Sequence, residues 1–330
     1  MGITMKFAYI FLTIANLTII PSLFADDHTA TITRYFGQVK ILTDPQKSVK
    51  GNGPHVLYED QYYTSKKPEV GMTLGLGTVI QTGKVSRVRL IFPNGDQFSV
   101  AANTYYQISK EKKEDKAPLV KLFFGAIRST IHKDGPRNGL KVKTKTVSMG
   151  VRGTDFYIAT ATSKKPTTVS ILRGKVEVKT PHQKKPVVVK GGFTAEVPST
   201  KGGQKKIVAP RKTSRKNIVE IQKKTRIKKN KSSTKKLDPK VQKKIQALEK
   251  QAVKTTLSDI KTHDPKLYKK IVKKKPENLS IDHVQTMAAE DAYKAAPPID
   301  TNQETPKFKP SEEQLDVTED EIYEKYFDVD

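Results

Sequence analysis

Between residues 26 and 198 apolar and polar positions alternate with a period of two, and no stretch there sustains the 3.6-residue stripe of an amphipathic helix. The segment from Ser86 to Val100 shows this best. Val88, Leu90 and Phe92 fall on one face, and Arg87, Arg89 and Ile91 on the other. Pro93-Asn94-Gly95-Asp96 then predicts a hairpin, with Asn94 and Gly95 as the centre of a type I′ turn. The same pattern predicts strands over 119–131, 140–147, 156–161, 168–172, 175–179 and 186–190. Turn signals recur about every 8 to 12 residues, which favours an antiparallel sandwich, barrel or solenoid-like stack over alternating strands and helices.

Residues 147–156 read as strand, tight turn, strand. Gly150 and Gly153 bracket a place where the backbone needs positive φ or close approach to another strand. Arg152 between them carries a planar fork of donors suited to loop carbonyls or a carboxylate. Thr154, Phe156 and Ile158 share one face of the strand that follows. A Gly-x-β-branched echo recurs at Gly37, Gly125 and Gly174, and Gly192 is a looser copy. Glycine there is expected to mark bends where strands change layer. The polar insert 44–69 reads as a long loop. Its Tyr58, Tyr62 and Tyr63 either form a contact patch or cover the end of a sheet.

The pattern changes after residue 198. Lys, Ser, Thr and Gly dominate 199–237, which reads as a basic, disordered linker. Asp238-Pro239 and Asp264-Pro265 are N-cap and N1 pairs that predict helix starts, and a third helix is expected over 281–296. Apolar stripes in the region 238–296 are thin, so short, marginal helices are expected unless a partner buries them. In the tail 297–330, Thr318 to Glu321 forms a capping box before Ile322, Tyr323, Tyr326 and Phe327.

At the N-terminus, Lys6 precedes an apolar run of about 14 residues, the length of a signal-peptide core and short of the roughly 20 needed for a bilayer span. Residues 1–25 are expected to be a signal peptide cleaved after Ala25, with a retained anchor as the alternative. Only about 25 residues then precede the mature domain. No later segment reaches membrane-spanning length, and the mature chain is expected in the periplasm or beyond.

Charge sharpens this division. The chain carries +27 overall. Residues 201–275 hold 27 Lys and Arg against 5 Asp and Glu, while residues 276–330 hold 4 against 15. A basic block this dense is expected to contact a polyanion or to serve as a solvated tether. After export, the expected polyanion is an envelope polymer such as peptidoglycan or lipopolysaccharide. Nucleic acid is disfavoured because 199–266 lacks aromatic stacking platforms. The acidic tail could fold back on the basic block.

With no Cys in the chain, disulfides, thiol catalysis and thiolate metal sites are excluded. The six His show no i, i+3 or i, i+4 pairing, so no metal site is expected. Gly75-Leu76-Gly77 lacks the third glycine of a dinucleotide loop, and no nucleophile sits beside a base in a recognisable motif. No cofactor and no enzymatic activity are expected.

Six blocks in order resemble the FecR domain family. They are Phe36-Gly37-Gln38-Val39, the Gly71 and Gly77 to Gly83 pair, the Ser86–Val100 hairpin, Val120 to Ile127, Gly150-Val151-Arg152-Gly153-Thr154-Asp155-Phe156, and Thr168 to Val178. The resemblance spans roughly residues 34–198. It implies an all-β domain of many short strands at 26–198, in which Gly150, Val151, Arg152, Gly153, Thr154 and Phe156 form a structural or recognition loop. In regulatory members of the family, cytoplasmic helices, one membrane span and a periplasmic FecR domain relay a signal from an outer-membrane transducer. The short segment before this domain departs from that plan. It favours an exported binding or scaffold protein that contacts an envelope protein or anionic polymer, with a component of a FecR-type signalling pathway as the alternative.

Overall fold

The computed structural model describes residues 29–49, 54–58, 60–109, 119–133, 139–160, 166–181, 183–198, 207–227, 237–273 and 279–297. The expected signal peptide, its cleavage at Ala25 and the Thr318 capping box lie outside these residues.

The first eighteen elements are strands: β1 (Ala30–Phe36), β2 (Val39–Gln46), β3 (His55–Tyr58), β4 (Gln61–Lys66), β5 (Thr73–Leu74), β6 (Val79–Thr82), β7 (Arg87–Ile91), β8 (Gln97–Val100), β9 (Thr104–Ser109), β10 (Leu119–Ile131), β11 (Leu140–Lys143), β12 (Ser148–Val151), β13 (Thr154–Thr160), β14 (Thr167–Arg173), β15 (Lys175–Lys179), β16 (Val187–Lys190), β17 (Phe193–Val197) and β18 (Arg211–Lys212). They form two layers. One, sheet I, runs β5-β1-β7-β8-β10-β13-β14-β17-β18. The other, sheet II, runs β3-β4-β2-β6-β9-β10-β11-β12-β15-β16. All pairings are antiparallel except β10 with β11. The fold is thus a two-layer all-β sandwich.

Strand β10 belongs to both layers. Its first residues, from Leu119, pair with β9 and β11 in sheet II. From Gly125 to Ile131 it pairs with β13, and within that stretch with β8, in sheet I. Gly125 is the bend, at φ 91°. A Cβ there would collide with Thr104 and the Asn103 carbonyl, so no other residue fits without moving β9. On one side of β10 lie only β1–β9, and on the other only β11–β18. The expectation that glycine marks layer changes holds at Gly37, Gly174 and Gly192 too, where positive φ accompanies each crossing.

Alternation places the core as the sequence predicts. Val88, Leu90, Phe92, Phe98, Ile127, Phe156, Ile158, Val169 and Ile171 from sheet I meet Ile41, Ile80, Tyr106, Val120, Met149, Val176 and Val178 from sheet II. Burying one such side chain contributes roughly 1.5–3 kcal/mol.

The insert 44–69 departs from its reading as a loop. Strands β3 and β4 form a hairpin that extends sheet II through β2. Tyr58 and Tyr63 pack there with Leu42, Val79 and Tyr105, and Tyr58 stacks on Tyr105 at 5.1 Å. Five of this hairpin's ten residues are aromatic or apolar, and Val56, Tyr58 and Tyr63 share its buried face, which polar composition obscured. These tyrosines cover the sheet.

The stretch expected as a disordered linker also differs. Described residues within it form β18, which extends sheet I, and helix α1 (Arg215–Thr225), whose Ile218 and Ile221 are buried. Two apolar residues three apart suffice because the sheet supplies the rest of the contact. Helices α2 (Pro239–His263), α3 (Pro265–Val272) and α4 (Ile281–Ala295) follow. Asp238 and Asp264 cap α2 and α3, with Pro at the first helical position, and Ser280 caps α4. Helix α2 has 25 residues and is not short. Its buried stripe is Ile245, Ala252, Thr256, Asp259 and Ile260. Two of the five are polar, which is why the apolar stripe looked thin.

Candidate functional site

The loop Arg152-Gly153 joins β12 in sheet II to β13 in sheet I. Gly153 has φ 64°, as expected. Gly150 does not. It lies within β12, paired with Lys141 and Glu177, and a Cβ there would meet open space. Arg152 Nε donates to the Lys133 carbonyl at 2.9 Å, fastening the end of β10. Thr154 Oγ1 lies 3.0 Å from both the Arg152 and Lys175 carbonyls. A Cβ on Gly174 would sit 2.5 Å from the Gly153 carbonyl oxygen. The two corners therefore interlock, and Val151 and Phe156 fill the core beneath them. The loop residues are brought together as a joint between layers.

The β7–β8 hairpin turn is built differently from the expected type I′. Gly95 N–H donates to the Phe92 carbonyl, so Pro93 and Asn94 are the central residues. Gly95, at φ 87°, follows them as a bulge, and Asn94 has no positive φ. Proline's fixed φ suits the first central position of an ordinary turn and sets this choice. The turn is also covered. Gln251 Nε2 of α2 donates to the Pro93 carbonyl at 2.9 Å.

That covering extends across the outer face of sheet I. The residues that alternate away from the core there are largely charged or polar, yet they are buried. Arg89 is 1% exposed and Arg128 3%. The four described helices form a cap over them. Arg34 Nε and Nη2 donate to the two Glu249 oxygens of α2 at 2.7 and 2.6 Å. Arg89 pairs with Asp282 at the start of α4. Arg173 pairs with Asp259 of α2 at 2.8 Å. Arg128 grips Asp155 with two donors, at 3.0 and 2.7 Å, and also donates to the Gln285 carbonyl of α4. His132 bridges Asp96 and Thr256, with ring nitrogens 3.0 and 3.1 Å from them. Among the described residues, Arg89 Nε and Arg173 Nη2 are buried without an acceptor.

Between the charged pairs, Ala101, Ala126, Tyr157 and Leu172 of the sheet meet Ile218 and Ile221 of α1 and Ala289 of α4. Burial pushes the Tyr157 phenol up to about 12, and the Glu220 carboxylate of α1 adds to the shift. Lys212 Nζ donates to the Ala296 carbonyl and lies 5.0 Å from the Tyr293 ring, pinning the far end of α4.

A cavity of about 660 Å³ opens between α1, the start of α4 and the edge of sheet I. Phe36, Val219 and Ile227 give it apolar walls, and Arg87, Lys223 and Arg226 a cationic rim. Arg87 Nε and Nη2 also donate to the last carbonyls of α1, at 2.6 and 3.0 Å. A cation there matches the negative end of the helix. Sequence reading missed this cleft and the buried pairs. Their partners are far apart in the chain, and only the outward set Arg87, Arg89 and Ile91 hinted at them. Among the described residues, no three His, Asp or Glu side chains group to hold a metal ion. No helix there is long and apolar enough to cross a membrane.

Two crystal structures of a candidate anti-sigma factor from Parabacteroides distasonis ATCC 8503 are similar in part. They match at 18% and 19% identity with TM-scores of 0.36 and 0.37, over 43% and 44% of this chain. The matches take in 62% and 64% of those chains, less than two thirds of their length. No curated protein matches the chain. The family model described as FecR protein matches residues 78–177, from the start of β6 into β15. That stretch includes β10, the corner loop and the hairpin, and it is similar to the FecR domain.

Proposed function

We propose that this chain is an exported component of a FecR-type envelope signal relay. The sandwich receives a protein partner and the helical cap carries the response. The FecR match supports the class of function. The observation that carries the relay is the attachment of the cap. Among the described residues, three Arg–carboxylate pairs hold it to the sheet, and two of those guanidinium groups keep a buried N–H without an acceptor. Buried ion pairs return little net stability once their desolvation is counted. A partner that offers better acceptors to the sheet, or to the cap, can therefore shift the balance between docked and undocked helices. The role is binding and relay rather than catalysis.

The test uses the full chain in its own cells. Replacing Asp282 and Glu249 by alanine should release the cap and change the transcript levels that deletion of the gene changes. In-cell cross-linking from the sandwich should reach one envelope regulator. An unaltered transcript profile in the deletion strain, with no protein cross-link, overturns the proposal.

A second reading, contact with anionic envelope polymer, is favoured by the outer face of the cap. Lys240, Lys243, Lys244, Lys250, Lys254 and Lys261 of α2 are all exposed. Sedimentation of the mature chain with peptidoglycan or lipopolysaccharide, lost when four of these lysines become glutamine, tests it. Sedimentation that the substitutions leave unchanged overturns it.

A further inference from the structure

We infer that the cleft between α1 and α4 is the seat of the chain's own acidic C-terminal segment, residues 318–327. The cleft has a surplus of positive charge. Arg128 and Asp282 on its wall are already paired with Asp155 and Arg89. Arg87, Lys223 and Arg226 pair with no carboxylate among the described residues. Beside them, Phe36 and Val219 are 42% and 43% exposed, unusual for large apolar side chains in a chain this hydrophilic. An occupant needs several negative charges and an apolar stripe.

Residues 318–327 offer that combination. Glu319, Asp320, Glu321 and Glu324 stand against one lysine, Lys325. Ile322, Tyr323, Tyr326 and Phe327 recur at i, i+1, i+4 and i+5 after the Thr318 capping-box sequence, the spacing that puts apolar residues on one face when such a segment is helical. An amphipathic helix laid in a groove is a standard recognition mode. The connection reaches. Pro297 closes α4 at the end away from the cleft, and α4 is about 22 Å long by its 15 residues. The twenty residues from 298 to 317 can span up to about 66 Å when extended. Being tethered, the segment competes as if at millimolar concentration.

The docked tail would bridge α1 to α4 and so hold two cap helices together, making it a latch on the face that the buried ion pairs secure. The inference does not depend on the relay reading.

The experiment places a photo-reactive benzoylphenylalanine at Val219 in the full-length chain and, separately, at Tyr326. Irradiation should cross-link Val219 into residues 318–327, and Tyr326 to α1 or the Phe36 strand end. Lys223→Glu with Arg226→Glu should lower both yields about fivefold, the equivalent of roughly 1 kcal/mol, and salt should lower them in the unsubstituted chain. Mixing light and heavy-isotope chains separates sources. Cross-links only between copies overturn the inference, as does a Val219 probe that reaches no residue of the tail. Yields indifferent to charge reversal also overturn it. The transcript experiment above reads a different property, so either idea can fail alone.

Discussion

The two sides of sheet I are made from the same strands and joined differently, the inner by an apolar core and the outer by ion pairs set among smaller apolar clusters. Inward, Val88, Leu90, Ile127, Phe156 and Ile158 interdigitate with sheet II in a continuous apolar core. Outward, Arg34, Arg89, Arg128 and Arg173 meet carboxylates and carbonyls. Burial alone does not distinguish them, since Arg89 is as shielded as Leu90. What differs is reversibility. An apolar contact loses its whole driving force when parted, whereas a guanidinium and a carboxylate regain hydration. One side is held by apolar burial alone, and the other adds charged groups that water can also satisfy.

The sharpest way to break the comparison is to weaken each side singly. Phe156→Ala should cost about 3–5 kcal/mol and lower the denaturant midpoint of the whole molecule. Asp282→Ala strands Arg89, and should cost about 2–3 kcal/mol. Hydrogen exchange should then rise in α4 while β7, β10 and β13 stay protected. Equal loss of protection in the strands would mean that cap and sandwich are one cooperative unit. Pairing Arg89→Met with Asp282→Leu should recover most of the loss.

Alkali provides a gentler lever. Tyr157 stays neutral in the fold up to about pH 12, whereas an unfolded tyrosine ionises near 10. Its stabilisation is therefore complete below pH 10 and is lost as pH rises from 10 to about 12. The loss is of order 3 kcal/mol at most. Ultraviolet absorbance should show late phenolate formation together with release of α1, and Tyr157→Phe should lower that late amplitude by one phenolate. The smallest effect belongs to Arg34, whose pair with Glu249 is partly open to solvent. Arg34→Ala should cost up to about 1 kcal/mol, less at high salt, in the same exchange experiment.

This contrast also explains what the sequence could show. Strand alternation found the inward residues because apolar faces need no named partner, and β10 and β15 were legible to the residue. Asp238-Pro239 and Asp264-Pro265 announced helix starts because capping is local. The outward arginines looked like solvent-facing positions, since the partner of Arg89 is 193 residues away. Helix α1 was hidden for the same reason. Its two buried isoleucines carry meaning only beside Tyr157 and Leu172. At the corner loop the need for glycine was readable at Gly153, while Gly150 is an ordinary strand residue. At the hairpin, Pro93 outweighed the Asn94-Gly95 pair.

The position of β10 has a consequence for folding during synthesis. Among the described residues, strands β1–β9 pair with β11–β18 only through this segment, so neither half completes its sheets by itself. A chain made from its N-terminus has released its first nine strands with raw rims at β8 and β9, the kind that recruits foreign backbone. Its most vulnerable interval ends only when residue 131 has followed, which makes the pace of synthesis part of how this molecule folds.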